Sequence, residues 1–457
     1  MISPNFSPEL AGALPGPEWL VSRRVAAAEQ AAVGALPTPK EEVWRYTPIS
    51  KLDLARYQLS TEPGGVSPVP VPQMPMAKAN PETVQDDLAD DLVDGSDLAE
   101  SILVDTSNGR LCAVNGDDRA GGAVNGLGSK GLQVRTLNAD DAELAASVDV
   151  DLFALMNTAF SVEPVLVKVP AGVDVPATIV VRHWFDVDGA AVFPRLIIDA
   201  GPDSSVRVLE LYGSSDIAAF VSPVVEIRAA AAARVGYLAV QDLGPKVWHI
   251  GSQVCHIASQ AHLRASTAAL GGEYARMRLD THLLGRGATG DLISLYYGDG
   301  EQTLDFRTFQ DHVAPDTSSS LLFKGAVDDS SRSVYTGMIR VRPDARGTNA
   351  YQTNRNIKLS ETAWAESVPN LEIENNEVRC SHASAVGPID HDQLFYLESR
   401  GVPTETAEQL IVRGFFDEVL EQFSVPEAVP AVRERLQAKI AGLSAGLISA
   451  GLSSGYE

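Results

Sequence analysis

From about residue 160 to residue 386 the chain is a succession of short β-branched runs, among them "PVLVKV", "ATIVVRH", "PRLIID", "PVVEIRA" and "SVYTGMIRV". Apolar and polar residues alternate along them, the signature of strands with one face inward. Helical periodicity is almost absent from this region. The runs also recur at a fixed interval. The small residues that open successive alternating stretches are Ser205, Ala233, Ala261, Ala288, Ser318 and Ala345, which by subtraction are 28, 28, 27, 30 and 27 residues apart. A period of about 20–50 residues made of strands and turns alone implies coils stacked along an axis, each burying the face its neighbour leaves open. A β-sandwich would show the same alternation with no meaning in the interval. Either way the core is mainly β.

The flanks read differently. "PEWLVSRRVAAAEQAAVGAL", residues 17–36, is an Ala-rich helix opened by Pro17 and closed by Pro37. "TEPGGVSPVPVPQMPMAKANP" resists both helix and central strand and reads as a linker. Residues 97–136 carry short apolar runs broken by Gly, Asn and Asp, a pattern of small strands and tight turns. After Pro388 the period becomes helical. Asp390 with Gln393 resembles a capping box, and Gly401 falls just past a helix end. A second helix follows Thr404, with Ile411, Phe415, Val419 and Phe423 at i, i+4 spacing, and a third starts near Pro430 with Val432, Leu436 and Ile440 on one face. The expected division is 1–80 (N-terminal helical region and Pro-rich linker), 81–158 (small α/β lead-in), 159–388 (solenoid core) and 389–457 (C-terminal helices).

Composition narrows the function. Thirty-six Lys plus Arg face 60 Asp plus Glu, a formal charge of -24. Phosphate backbones and anionic membrane surfaces are repelled by such a chain, so no nucleic-acid or membrane partner is expected. The N-terminus lacks a basic stretch followed by an apolar core, and "IAGLSAGLISAGL" is too short and too rich in Gly and Ser to span a bilayer. Cys112, Cys255 and Cys380 are few, odd in number and far apart, which fits a reducing compartment. A cytoplasmic location is expected.

The candidate sites separate by geometry. "GLGSKG", residues 126–131, has dinucleotide-fingerprint spacing but runs into the strand-like "LQVRTL" instead of a helix, so it is not read as a nucleotide site. Asp280, Asp305 and Asp311 would be the carboxylates of a β-helical polysaccharide lyase or hydrolase, a reading that rests on fold analogy. Cys255 and His256 are adjacent, point to opposite faces of a strand and cannot easily share a ligand. Cys380 and His382 are two apart, so a strand projects both to one side, within reach of a common ion. Two ligands do not complete a site. The pair is either half of a coordination sphere finished by a second chain or a thiol and imidazole packed at a strand end.

The run from Asn354 to Gly401, "NRNIKLSETAWAESVPNLEIENNEVRCSHASAVGPIDHDQLFYLESRG", closely resembles the signature of the SufB/SufD family of iron-sulfur cluster assembly proteins. "QDHVAPDTSSSLLFKGAVDDSSRSVYTGMIRV" and "EEVWRYTPISKL" are similar to other parts of that family, and "VGPIDHDQLFYLESRG" favours its SufD side over SufB. Ala383 stands where that side shows glycine. The resemblance implies a right-handed parallel β-helix flanked by helices, with no enzymatic activity of its own. It implies a heterodimer with SufB, docking of the ATPase SufC on the C-terminal helices, and a transient iron-sulfur cluster or iron shared with SufB. His382, assisted by Cys380, would face that interface, and Ile411, Phe415, Val419 and Phe423 would gain a partner-binding role. Homodimerisation is the alternative for the isolated chain. A SufB-like main scaffold with a larger ligand set is the nearest alternative reading, and a scaffold with an inert Cys380-Ser381-His382 triplet is another.

Overall fold

In a computed structural model the strands of the periodic region close into a parallel β-solenoid of about eight turns; the structure describes residues 3–60, 101–114, 117–118, 131–144, 148 and 150–451. Each turn gives one strand to each of two facing sheets. Sheet 1 stacks Val165–Val169, Arg195–Ala200, Val224–Ala229, Val247–Ile257, Tyr274–Leu283, Thr303–His312, Arg332–Val341 and Trp364–Ile373. Sheet 2 stacks Ile179–Phe185, Ser205–Ser214, Arg234–Asp242, His262–Ala269, Thr289–Gly298, Ser318–Val327, Asn349–Lys358 and Arg379–Pro388. Neighbours within each stack pair in parallel.

The interval seen in the sequence is the coil, but its phase needs correction. The register aligns Ser205, Arg234, His262, Thr289, Ser318 and Asn349. The residues just before them are Ser204, Ala233, Ala261, Ala288, Thr317 and Thr348, all essentially unexposed. Ala233, Ala261 and Ala288 were therefore in phase; Ser205 and Ser318 lay one position late and Ala345 three early. The reason is a turn with a fixed backbone need. Immediately ahead of each small residue stands one in the left-handed region: Asp203 (φ 55°), Ala232 (61°), Gln260 (58°), Gly287 (70°), Asp316 (59°) and Gly347 (75°). The turn needs that conformation and then a small side chain, and four of the six positions bear its strain of order 1–3 kcal/mol with a non-glycine residue.

The interior is filled from both sheets. Val206, Val208, Tyr237, Leu263 and Leu292 of sheet 2 meet Val225, Ile227, Cys255 and Leu279 of sheet 1 in one cluster. Further along, Tyr296, Phe306, Phe323 and Tyr335 cross the gap with ring centroids 4.7, 5.6 and 5.5 Å apart. Such ring pairs add packing energy beyond burial.

Both outer faces are covered. Helices α1 (Pro8–Ala13), α2 (Glu18–Val33) and α3 (Leu152–Phe160) lie with Trp44 over the first part of sheet 1, against Ala191, Phe220, Trp248 and Tyr274. Pro17 is the residue before α2, one position earlier in its role than expected from the sequence, and Gly34 follows the last turn. Trp44 lies 3.8 Å from the Arg276 guanidinium, and Tyr46 reaches Trp364 with ring centroids 5.6 Å apart. The expected lead-in strands are present: Ile102–Ser107 joins the start of sheet 2 and pairs antiparallel with Arg110–Val114. Gln133–Thr136 pairs antiparallel at the start of sheet 1. The Pro-rich linker lies outside the described residues, as does all of "GLGSKG" except Gly131.

After the last coil come α4 (His391–Ser399), α5 (Thr404–Leu420) and α6 (Val429–Gly451). Asp390 caps α4 by accepting from the Asp392 and Gln393 N–H groups, and Gly401 adopts φ 85° beyond its end. α5 and α6 fold back over sheet 2, where Val412, Phe416, Val419, Phe423, Val432 and Leu436 meet Leu238, Leu270, Ile293 and Tyr297. Lys324 ties α5 down: its ammonium donates to the Phe415 carbonyl at 2.7 Å and pairs with Glu418 at 2.6 Å. No helix among the described residues is long and apolar enough to cross a membrane.

Candidate functional site

The last coil is built like the others, but among the described residues no further strand or helix caps its end; Tyr46 touches it only at Trp364. Among the described residues, Trp364–Ile373 and Arg379–Pro388 each pair on one side only, so both end their sheets with a row of free backbone groups. Most of Arg379–Pro388 is exposed, and Tyr351 (46 %), Ile373 (44 %) and Val386 (42 %) show apolar surface at this end.

Cys380 and His382 occupy this strand. In register, Cys380 stands beside Ala350 and His382 beside Gln352. Cys380 is half-buried against the cluster of Ile339, Val341, Ala345 and Ala350, while His382 is exposed. Partial burial raises the Cys380 thiol, more than offsetting the lowering by a hydrogen bond with the Ala350 backbone, so the free thiol is protonated near neutral pH. The same-side projection expected from the i, i+2 spacing is therefore realised, at the open mouth of the solenoid. Ala383 has no left-handed φ, so the strand does not require a glycine there. Among the described residues no group of three or more His, Cys, Asp and Glu side chains is placed to hold a metal ion. The pair is thus an incomplete donor set, soft thiolate plus borderline imidazole, a chemistry suited to iron and sulfide.

The other candidates resolve as structural. Cys255 is fully buried and its thiol is pushed up to about 12 by that burial, while His256 points outward and stacks on His282 at 5.4 Å. His249 and His312 are buried, which lowers them to about 3 and about 4. His183 is enclosed between Thr106 (2.7 Å) and Glu210 (2.8 Å), and His262 pairs with Asp291 at 3.0 Å. The carboxylates of the carbohydrate-enzyme reading are all occupied. Asp305 is held by Arg276 (2.6 Å), Arg307 (3.0 Å) and Tyr274 (2.9 Å), Asp280 by Arg278 (2.9 Å), and Asp311 by Arg342 (2.8 Å). None forms the free acid and base that glycosidic cleavage needs.

The proposed partner-binding stripe needs correction. Val419 and Phe423 are buried against sheet 2, and Ile411 and Phe415 are half-buried. The inward stripe of α5 runs through Val412, Phe416, Val419 and Leu420, so the spacing read in the sequence holds at Val419 and Phe423 and is one residue off at Ile411 and Phe415. Among the described residues of these helices, the exposed large apolar side chains are Phe395 (71 %), Tyr396 (56 %) and Leu410 (44 %), and α4 has no buried residue at all. Phe395 and Tyr396 could have been singled out in the sequence as adjacent aromatics that no single helix face can bury together.

A parallel β-solenoid whose uncapped end carries a cysteine and a histidine defines a class of protein, and the sequence places the chain in it. The profile described as "SUF system FeS cluster assembly, SufBD core domain" matches residues 183–415, from the end of the first coil through most of α5, and the chain belongs to the SufBD family. It is similar to the iron-sulfur cluster assembly SufBD family proteins of Mycobacterium leprae, 39 % identical over 261 residues, and Mycobacterium tuberculosis, 41 % over 217. These matches cover 55 % and 46 % of this chain, and 64 % and 54 % of those relatives' own length. The SufD protein of Escherichia coli is 27 % identical over 391 residues, 84 % of this chain and 85 % of that one.

Proposed function

We propose that the chain is a scaffold subunit of an iron-sulfur cluster assembly complex, of the SufD kind, and has no enzymatic activity of its own. Its last coil pairs with a SufB subunit, and His382, with Cys380 beside it, contributes to a transient cluster or iron at that contact. The observation that carries this reading is the open coil: an exposed imidazole and a half-buried thiol on one strand face, with no third ligand beside them among the described residues. Free strand edges favour addition of a second chain, and a sphere divided between two chains holds its cargo loosely enough to release it. Coordination by iron would also deprotonate a thiol that burial keeps neutral. The E. coli relative is named an iron-sulfur cluster assembly protein, and its match extends through most of both chains.

The C-terminal helices dock the SufC ATPase in this reading, through the free aromatic surface of α4, Phe395 and Tyr396, together with Leu410, instead of the inward residues of α5. The complex works in the cytoplasm. ATP binding to that subunit would shift a two-state interface, which requires tighter binding to one state.

Co-purification of the chain with SufB and SufC partners, followed by iron and sulfide quantitation, tests the assignment. His382→Ala is expected to remove most of the bound iron and sulfide while leaving the complex assembled. Equal metal in wild type and variant would overturn the site.

A further inference from the structure

The interior of the last coils is partly polar: the Asn354 and Asn356 amides are paired, whereas Gln310 in the sixth coil and Gln352 in the seventh have no hydrogen-bond partner on either amide atom. On the strand Asn349–Lys358, Asn354 donates to the Tyr296 hydroxyl at 2.9 Å, Tyr296 donates to Asn356 at 2.7 Å, and Asn356 donates to Asn354 at 2.8 Å. Gln352, two residues earlier on the same inward face, is only 1 % exposed, and neither its Nε2 nor its Oε1 has a hydrogen-bond partner. An unpaired buried amide costs of order 1–3 kcal/mol, so Gln352 calls for a partner within its reach that the present side-chain arrangement leaves out.

Its position identifies the counterpart. The Gln352 amide crosses toward the opposing sheet at Gly337, where a Cβ would come within 2.2 Å of Nε2 and 2.3 Å of the Tyr335 hydroxyl. Room for it is therefore built into the facing strand. Its register neighbour in the last coil is His382, one inter-strand step away, about 4.8 Å, on the same face. A histidine that ligates iron through one nitrogen ordinarily donates its other ring N–H to an oxygen, which fixes ring orientation and tautomer.

We propose that Gln352 is a positioning residue for His382: its amide oxygen accepts the N–H of one imidazole nitrogen and leaves the other turned to the open mouth as the iron ligand. This rests on the reading of His382 as a ligand, but its test does not use iron. Full-length protein labelled with ¹⁵N-histidine reports the tautomer of His382, whose ring signals are assigned by their loss in His382→Ala. Gln352→Met, close in shape and without polar atoms, is expected to change the tautomer ratio about fivefold, the worth of one neutral hydrogen bond. Gln352→Glu, which keeps an acceptor oxygen at the same reach and makes it a stronger one, is expected to keep the same tautomer favoured. Should the methionine variant not fold, Gln352→Asn, one methylene short, must show the same change. An unaltered ratio in a folded Gln352→Met or Gln352→Asn protein overturns the proposal. Because no metal is present, that result leaves the iron content of His382→Ala to judge the ligand assignment separately.

Discussion

The two ends of the solenoid are built from the same coil and finished in opposite ways. At the first end, Gln133–Thr136 pairs antiparallel with sheet 1, and the hairpin of Ile102–Ser107 and Arg110–Val114 closes sheet 2. At the last end, Trp364–Ile373 and Arg379–Pro388 are left with bare edges. The interior follows suit. One inward column of sheet 2 reads Tyr237, Ala265, Leu292, Leu321, Gln352 and His382 in register, apolar for four coils and polar for the last two. A solenoid can stop anywhere if its last face is capped; one that stops uncapped with a polar lumen is shaped for another chain. The difference teaches that the site is the unfinished part of the fold itself and is not an insertion into it.

The largest expected effect separates the ends by stability. Ile102 is fully buried in the capping strand, and Ile102→Ala is expected to cost about 2–5 kcal/mol from lost burial and the cavity left behind. Val386→Ala, at an exposed position of the open coil, is expected to stay within about 0.5 kcal/mol. Denaturant midpoints of the two variants measure this. If Val386→Ala destabilised the isolated chain as much as Ile102→Ala, the last coil would be part of the core and the contrast would fail.

Much of this contrast was legible in the sequence, because stacking imposes a repeat that single-strand patterns cannot produce. The coil interval and the same-side projection of Cys380 and His382 followed from backbone periods of about 28 residues and of two. The phase did not, since small residues are common and the αL position ahead of them accepts Ala232 and Gln260 as well as glycine. The stripe of α5 was read rightly at Val419 and Phe423 but one residue off at its start, because Phe415 and Phe416 are adjacent aromatics and only the contact with sheet 2 decides which turns inward. Gln352 carried no signal at all: an amide in an alternating strand looks the same whether its partners are present or missing.

A smaller contrast is chemical. Cys255 lies inside the fourth coil with its thiol pushed up to about 12 by burial, whereas Cys380 lies at the open end with a thiol raised more modestly by partial burial. In the folded chain at pH 8, iodoacetamide is expected to modify Cys380 and to spare Cys255, with mass mapping of the two peptides as the readout. Binding of the partner subunit should then protect Cys380. Equal labelling of both cysteines would mean that the closed coils open as readily as the last one.

The weakest test uses acid. Burial alone would raise the Asp311 carboxyl, but hydrogen bonds and charge from Arg342, with less from His282, hold it below the ordinary carboxylate value. At the open end, a hydrogen bond from Arg340 lowers Glu374 in the same direction, but that carboxylate is fully exposed. A group depressed in the folded state contributes stability above its unfolded pKa, near 4, and loses it as pH falls through the lower folded value. Asp311→Asn is therefore expected to reduce stability at neutral pH by no more than about 1 kcal/mol and to flatten its fall below about pH 4. Glu374→Gln should leave the pH profile where it was, because water and salt screen an exposed pair. Urea midpoints between pH 3 and pH 7 compare the two. A larger change in slope for Glu374→Gln would place the acid-sensitive contact at the open end and reverse the contrast between the two regions.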